Sequence, residues 1–506
     1  LAPSYYSFDW GGRHFVIYAQ EDDFFSETGQ RCKENWLWED LAMQLSTMES
    51  VLIMHTAPNL VFLQQLAVHN VTLVLHGHWH SSKVFTHNGI TVAAAPPIGF
   101  GGIDTSPRGY RMVAFQEDGF RMTLNTLKQP TSLTPSPKNG KKDKSEKSLS
   151  IVWEHELPVG LHRAAPIYNG LDLLLSLQDE NHSGQSGVRC IDGDSGAMKW
   201  QVHTDSSVKN SVSLGPDNLC TAVSVTGRVY CIDVRTGKIH WDLDLPGYPD
   251  RWIYTSPVIS NNTVYVGAKD GYGAYDLRTG SCRWYRTFKG DAELINSWNH
   301  GDRWPCYASP QIHENLLIVL VQRRGILAVS MDDGKPVWER QLDVEYHYGT
   351  PVLAGNLLIT GGDLGKLAAL DVRSGETLWH KSVLEAGYPS GLSVEGEKIY
   401  ASTPEGQVHC CNLQTGELEW SFQCTDDLMD MTPYRRGIRS ILAKAVLQNN
   451  QIIVCGCDGV IYMLDAHSGQ CVSKMRFNTP ITAPPCSISN GFCIGTLDGR
   501  LYRFAV

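Results

Sequence analysis

The chain has 506 residues, 42% hydrophobic, 19% charged and 9% aromatic, a globular profile that excludes a disordered or fibrous protein and, at this length, a single small domain. Its formal net charge of −10 argues against binding to the nucleic-acid backbone, which rests on clustered Lys and Arg, but leaves a small phosphorylated substrate open. No stretch approaches the about 20 uninterrupted apolar residues of a membrane helix; the nearest is the Pro- and Gly-broken run from Thr91 to Gly102.

In chain order, Tyr5-Tyr-Ser-Phe-Asp9 and His14-Phe-Val-Ile-Tyr-Ala19 flank Trp10-Gly-Gly-Arg13 as two strands around a turn. Leu37, Leu41, Leu45 and Met48 recur at helical spacing, and a strand from Val51 to Met54, a helix from Pro58 to His69 and a strand from Val71 to Leu75 follow. Residues 1–127 therefore read as α/β. Ligand sites in such sheets gather beyond the carboxyl ends of strands, where His55 follows the first strand and Gly77-His78-Trp79-His80 the second. Neutral imidazole is a favoured ligand of Zn, Fe or Mn, and a His-x-His pair can serve one ion or two adjacent ones. His14, His69, His76 and His87 receive no such role.

Residues 128–150, KQPTSLTPSPKNGKKDKSEKSLS, carry three prolines and six lysines against two acids and predict a solvated linker. Residues 151–506 are a repeat array. Its unit is an apolar strand, Asp or Asn, Thr/Ser-Gly, and a Trp four residues after the Gly, as in Asp233, Thr236-Gly237 and Trp241, or Asn412, Thr415-Gly416 and Trp420. Seven copies, at Gly196, Gly237, Gly280, Gly334, Gly375, Gly416 and Gly469, predict one four-stranded antiparallel sheet each. Asp or Asn folds onto nearby amides, Gly supplies positive φ, and Trp fills the space between neighbouring sheets. An eighth unit, Ala483 to Val506, lacks its fourth strand, and Ser150-Ile-Val-Trp153-Glu-His-Glu is expected to supply it and close the ring. The 14 cysteines, mostly single within apolar runs, read as buried free thiols. Tyr254, Tyr307, Tyr348 and Tyr388 stand at equivalent positions before the innermost strands of four successive blades. They predict an aromatic arc at one channel mouth, either packed between blades or stacking a flat or sugar-like ligand, flanked by the insertion Lys289 to Cys306.

The repeats resemble the pyrroloquinoline-quinone-like (quinoprotein) β-propeller family, which implies an eight-bladed ring. Some relatives hold a quinone and Ca²⁺ and others bind no cofactor; here the regular Asp residues are turn residues, which argues against a quinone. The segments YYSFDWGGRHFVIY, Met54-His55-Thr-Ala-Pro58 and Gly77-His78-Trp79-His80 resemble the second half of the calcineurin-like metallophosphoesterase family. That resemblance implies that His55 and His78 bind one metal ion and His80 another, that two ions (Zn, Fe or Mn) generate a hydroxide for attack on phosphorus, and that the family's earlier Asp- and Asn-bearing blocks precede Tyr5 in a longer parent. No catalytic residue is identified within this chain, and it alone is not expected to assemble both metals.

The sequence thus predicts an α/β metallophosphoesterase fragment joined to an all-β eight-bladed propeller. The expected function is metal-dependent hydrolysis of a phosphoric ester by the parent, with a protein or glycan partner at the propeller. The alternatives are a non-catalytic propeller scaffold and, third, a quinone-dependent oxidoreductase. The compartment stays open, the resemblances leaning towards an extracytoplasmic one.

Overall fold

The computed structural model describes residues 5–18, 35–44, 47–128, 149–249, 254–267, 271–287, 308–321, 325–341, 349–362, 366–385, 389–436 and 438–505. The expected hairpin forms as β1 (Tyr6–Trp10) and β2 (Arg13–Tyr18), antiparallel around Gly11 and Gly12, both at positive φ. Then come α1 (Trp36–Ala42), β3 (Glu49–Met54), α2 (Leu60–Leu66) and β4 (Val71–His76). The second helix starts later than Pro58 because the Asn59 side chain accepts the Phe62 amide at 2.9 Å and acts as its N-cap. The first ends at Ala42, short of the Leu37 to Met48 periodicity, and Leu45 lies outside the described residues.

With β5 (Lys83–His87) and β6 (Ile90–Ala94) these strands form one sheet in the order β1-β2-β3-β4-β6-β5, parallel through β2, β3, β4 and β6. One face buries Leu52, Val74 and Val92 beneath Leu37 and Leu41 of α1 and Leu63 and Leu66 of α2. The other buries Phe15, Val51 and Leu73 beneath the hairpin of β7 (Gly109–Gln116) and β8 (Gly119–Thr126). Among the described residues α-helix is scarce, seven residues in each of α1 and α2; the sequence suggested a phosphoesterase fragment, and this topology by itself does not make the sheet one.

Eight four-stranded antiparallel sheets follow. Blade one, for example, runs through Ile167–Tyr168, Asp172–Leu177, Gly187–Asp192 and Met198–His203. Closure takes the predicted route. β9 (Ser150–Glu156) pairs antiparallel with Arg500–Ala505 and completes blade eight, which otherwise consists of Cys486–Ile488, Gly491–Gly495 and Arg500–Ala505. The ring is thereby joined without a free inner-to-outer seam in that blade.

The repeat motif works as its chemistry demands. Asp233 Oδ1 accepts the Arg235 and Thr236 amides and the Thr236 hydroxyl, and Asp192, Asp276, Asp371, Asn412 and Asp465 do the same in their own turns. Each Trp then donates its indole N–H to a carbonyl of the next blade: Trp200 to Val234 at 2.9 Å, Trp241 to Leu277 at 2.8 Å, Trp284 to Met331 at 2.8 Å, Trp338 to Val372 at 3.0 Å, Trp379 to Leu413 at 3.2 Å and Trp420 to Ala466 at 3.3 Å. The ring faces lie flat on the next motif's glycine; a Cβ on Gly237 would come within 2.8 Å of Trp200.

In an antiparallel four-stranded blade, the connection to the next blade and the turn between the two middle strands leave on the same face. All the described bridges from the N-terminal region fall on that face: Phe85 to Ser206, Gly101 to Pro433 and Lys128 to Met429. Of the expected linker, residues 129–148 lie outside the described residues.

Candidate functional site

Strands β3 and β4 are parallel neighbours with Met54 opposite His76, so the loops that follow them emerge side by side. That register brings two of the three predicted histidines together: His55 Nε2 lies 3.2 Å from His78 Nδ1, with ring centroids 5.0 Å apart and nearly perpendicular. Nitrogens so spaced suit two ligands on one ion. His80 goes elsewhere. Both His78 (φ 62°) and His80 (φ 48°) are left-handed, a sparsely populated state for a side-chain-bearing residue, and the turn they make buries Trp79 between them. His80 Nδ1 meets the Tyr434 hydroxyl of the propeller at 3.1 Å, and its ring packs edge-on against Phe100. Burial, then His78 and His55, hold its pKa below the usual histidine range. Among the described residues no group of three or more His, Cys, Asp or Glu is placed to hold a metal ion.

The histidines left without a role are structural. His14 is buried between Asp9 (2.7 Å) and Asp40 (2.8 Å), tying the first hairpin to α1. His76 lies edge-on to Trp79 at 4.8 Å, and burial pulls its pKa down to about 3.

The loop that carries Trp79 and His80 is clamped onto the propeller by charges that sequence reasoning did not single out. Lys209, from the connection between blades one and two, is fully buried and reaches Glu180 at 2.6 Å, Asp104 Oδ2 at 3.0 Å and the Ser82 carbonyl at 2.8 Å. Arg111 of β7 completes the group, pairing with Glu180 at 3.2 Å and donating to the Ser82 hydroxyl at 2.6 Å and the Ala94 carbonyl at 2.8 Å. Lys209 thus holds two carboxylates and Arg111 shares one of them, pairing that offsets the cost of burying these charges. Burial opposes the charge on Lys209, but Glu180 and Asp104 outweigh it and raise its pKa. Burial likewise opposes ionisation of Asp104, and Lys209 with His162 and Ser106 overcomes it and lowers the pKa. Lys83 adds a hydrogen bond to the Pro249 carbonyl at 2.8 Å and lies over the rings of Trp79 and Phe85.

Residues 99–108 lie across the channel mouth. Ile103 is buried with Trp79, Ala94, Val225 and Tyr254. Thr105 Oγ1 lies 3.4 Å from Nε2 of His162, a fully buried histidine of blade one whose pKa burial lowers to about 4. Arg108 pairs with the buried Asp430 at 2.7 Å. Gly101 is required: a Cβ there would sit 2.1 Å from the Met431 carbonyl carbon. Of the predicted aromatic arc, Tyr254 is thus only 5% exposed and packs under the N-terminal loop. Tyr307, Tyr348 and Tyr388 lie outside the described residues, as does the insertion Lys289 to Cys306. The described cysteines are free thiols, as expected, with Cys282 and Cys471 exposed. No described helix is long and apolar enough to cross a membrane.

Residues 184–421 and 365–472, together more than half of the chain, match the family model described as outer membrane protein assembly factor BamB. The BamB of Burkholderia pseudomallei is 24% identical over 354 residues, covering 64% of this chain and 80% of the relative; that of Escherichia coli K12 is 22% identical over 361 residues, covering 60% and 87%. Among solved structures, BamB from Moraxella catarrhalis superposes with a TM-score of 0.54 at 20% identity, over 71% of this chain and 100% of that one. A europium-containing methanol dehydrogenase gives 0.57 at 14% identity, over 71% and 93%. Likeness to a solved structure at such identities establishes the fold alone. These findings correct the expected function. The family and the relatives matched are assembly factors, so hydrolysis of a phosphoric ester and a phosphorylated substrate lose their support, and the alternative of a non-catalytic propeller scaffold fits better.

Proposed function

Because the chain belongs to the family of the outer membrane protein assembly factor BamB, we propose that it is a non-catalytic propeller scaffold that binds protein partners. The observation that carries this reading is the family match across residues 184–472, which takes in blades two to six whole and parts of blades one and seven. The relatives are named as outer membrane protein assembly factors, and a rigid ring with repeated exposed turns suits the holding of other proteins without a reacting centre. The N-terminal region occupies the face bearing the blade-to-blade connections, which leaves the opposite face, with its Asp-x-x-Thr-Gly turns, to a partner. We keep His55 and His78 as a candidate site for one Zn, Fe or Mn ion, a site that scaffolding does not use.

The test is site-specific photo-crosslinking in cells expressing the full chain, with the photoreactive residue at the exposed turn positions Lys238 or Glu417 and at Val68 of the N-terminal region, also exposed. The scaffold reading expects discrete protein adducts from the turn positions and none from Val68. Absence of adducts at both turns contradicts it.

A further inference from the structure

The mouth of the propeller recognises residues 99–108 by chemistry that a second polypeptide could present. Ile103 fills an apolar pocket of Val225 and Tyr254, the Asp104 carboxylate meets Lys209, the Thr105 hydroxyl meets His162 and Arg108 meets Asp430. The four contacts come from the connections between blades eight and one, one and two, two and three, and six and seven, and from the middle turn of blade two, so the loop is held from several sides of the ring. Asp104 is preorganised: its Oδ1 accepts the Ser106 amide at 3.1 Å and the Ser106 hydroxyl at 2.6 Å, closing a tight acidic turn.

Two features mark the turn from Ile103 to Ser106 as removable. Glycines 99, 101 and 102 precede it and Pro107 follows, a pattern that confines bending to its ends. Thr105 sits at φ 59°, and a β-branched residue in the left-handed region is strained, so docking works against a local cost. Withdrawing the loop while the sheet stays docked takes Asp104 from Lys209, which keeps Glu180 alone of its two carboxylates, a buried cation left with room for another carboxylate.

We propose that this mouth is a receptor for an acidic turn of the form apolar-Asp-hydroxyl, occupied in cis by residues 99–108, and that a partner carrying such a turn binds by displacing them. The proposal rests on the scaffold reading and names the partner's chemistry and its regulation.

The probe is a fluorescent peptide of residues 99–108, titrated by polarisation into the full chain and into the double variant Ile103→Ser, Asp104→Asn. The variant should bind at least about tenfold more tightly than the wild type, and a peptide with Asn in place of Asp should lose that binding. A folded variant that binds no better than the wild type overturns the proposal. Hydrogen exchange on the unmodified chain reads the same claim without a variant. The amides of residues 103–106 should exchange about a hundredfold faster than those of the inner blade strands, and exchange only through global unfolding overturns it. Neither readout needs a partner, so the two proposals fail separately: this one by absent peptide binding and opening, the scaffold reading by absent turn-face crosslinks.

Discussion

Two kinds of contact hold this chain together, and they differ in how they are encoded. Six blade junctions repeat one device, an indole N–H donated to the next blade's carbonyl over a glycine, at 2.8–3.3 Å. The docking of the N-terminal sheet uses no repeated device at all: Lys209 and Asp104 stand 105 residues apart, His80 and Tyr434 354. The junctions on either side of blade eight fall between these extremes. Ser473 replaces the Trp on one side; on the other, Trp153 N–H has no partner among the described residues, and His155 instead meets the Ser195 carbonyl at 3.1 Å. A repeated junction can lose one member and keep the ring, whereas the buried charges of the docking face have no second copy.

The comparison breaks first at Lys209. Replacing it in Lys209→Met strands Asp104 beside Glu180 with Arg111 as the remaining cation, and the expected loss is about 3–5 kcal/mol of unfolding free energy in urea. A loss under about 1 kcal/mol would mean the charges are solvated and the docking is loose.

Acid tests the same face. The pKa of His162 is lowered from 6.5 to about 4, so the unfolded chain binds a proton that the folded chain refuses. Its contribution is complete above pH 6.5 and is lost as pH falls from 6.5 towards 4, by about 3 kcal/mol in all. Denaturant titrations at pH 7 and pH 4.5 should show a smaller fall for His162→Gln than for the wild type; equal falls would place the buried proton uptake elsewhere.

The smallest effect sharpens the contrast among the junctions. Trp284→Phe removes an indole hydrogen bond and should cost about 1 kcal/mol, while Trp153→Phe removes none and should cost near zero by the same unfolding assay. Equal costs would show that the repeated bond contributes nothing to the regular seams.

What the residues disclosed follows the same division. The blades were legible because Asp, Gly and Trp act within a few positions of each other, and even the borrowed strand Ser150–Glu156 could be placed from its Trp and from the unit left short at Val506. The meeting of His55 and His78 was legible because each follows a strand and adjacent parallel strands end together. His80 was not: the left-handed turn at His78 and His80 redirects it to Tyr434, a partner that no local spacing announces. Lys209, Glu180 and Asp104 stayed hidden for the same reason, although Gly101-Gly102-Ile-Asp-Thr-Ser carries the composition of a tight acidic turn. The hydrolase expectation rested on a resemblance carried by three short segments of the N-terminal region, and the family match along the propeller is what turned the reading to a scaffold.

The scaffold proposal has this chain binding partners without catalysis. Its most direct test is turnover of p-nitrophenyl phosphate and its diester by the purified full chain with Zn²⁺, Mn²⁺ or Fe²⁺ added. On the scaffold reading, rates equal those of metal and buffer alone and are unchanged by His78→Ala. Metal-dependent turnover that His78→Ala abolishes would contradict it.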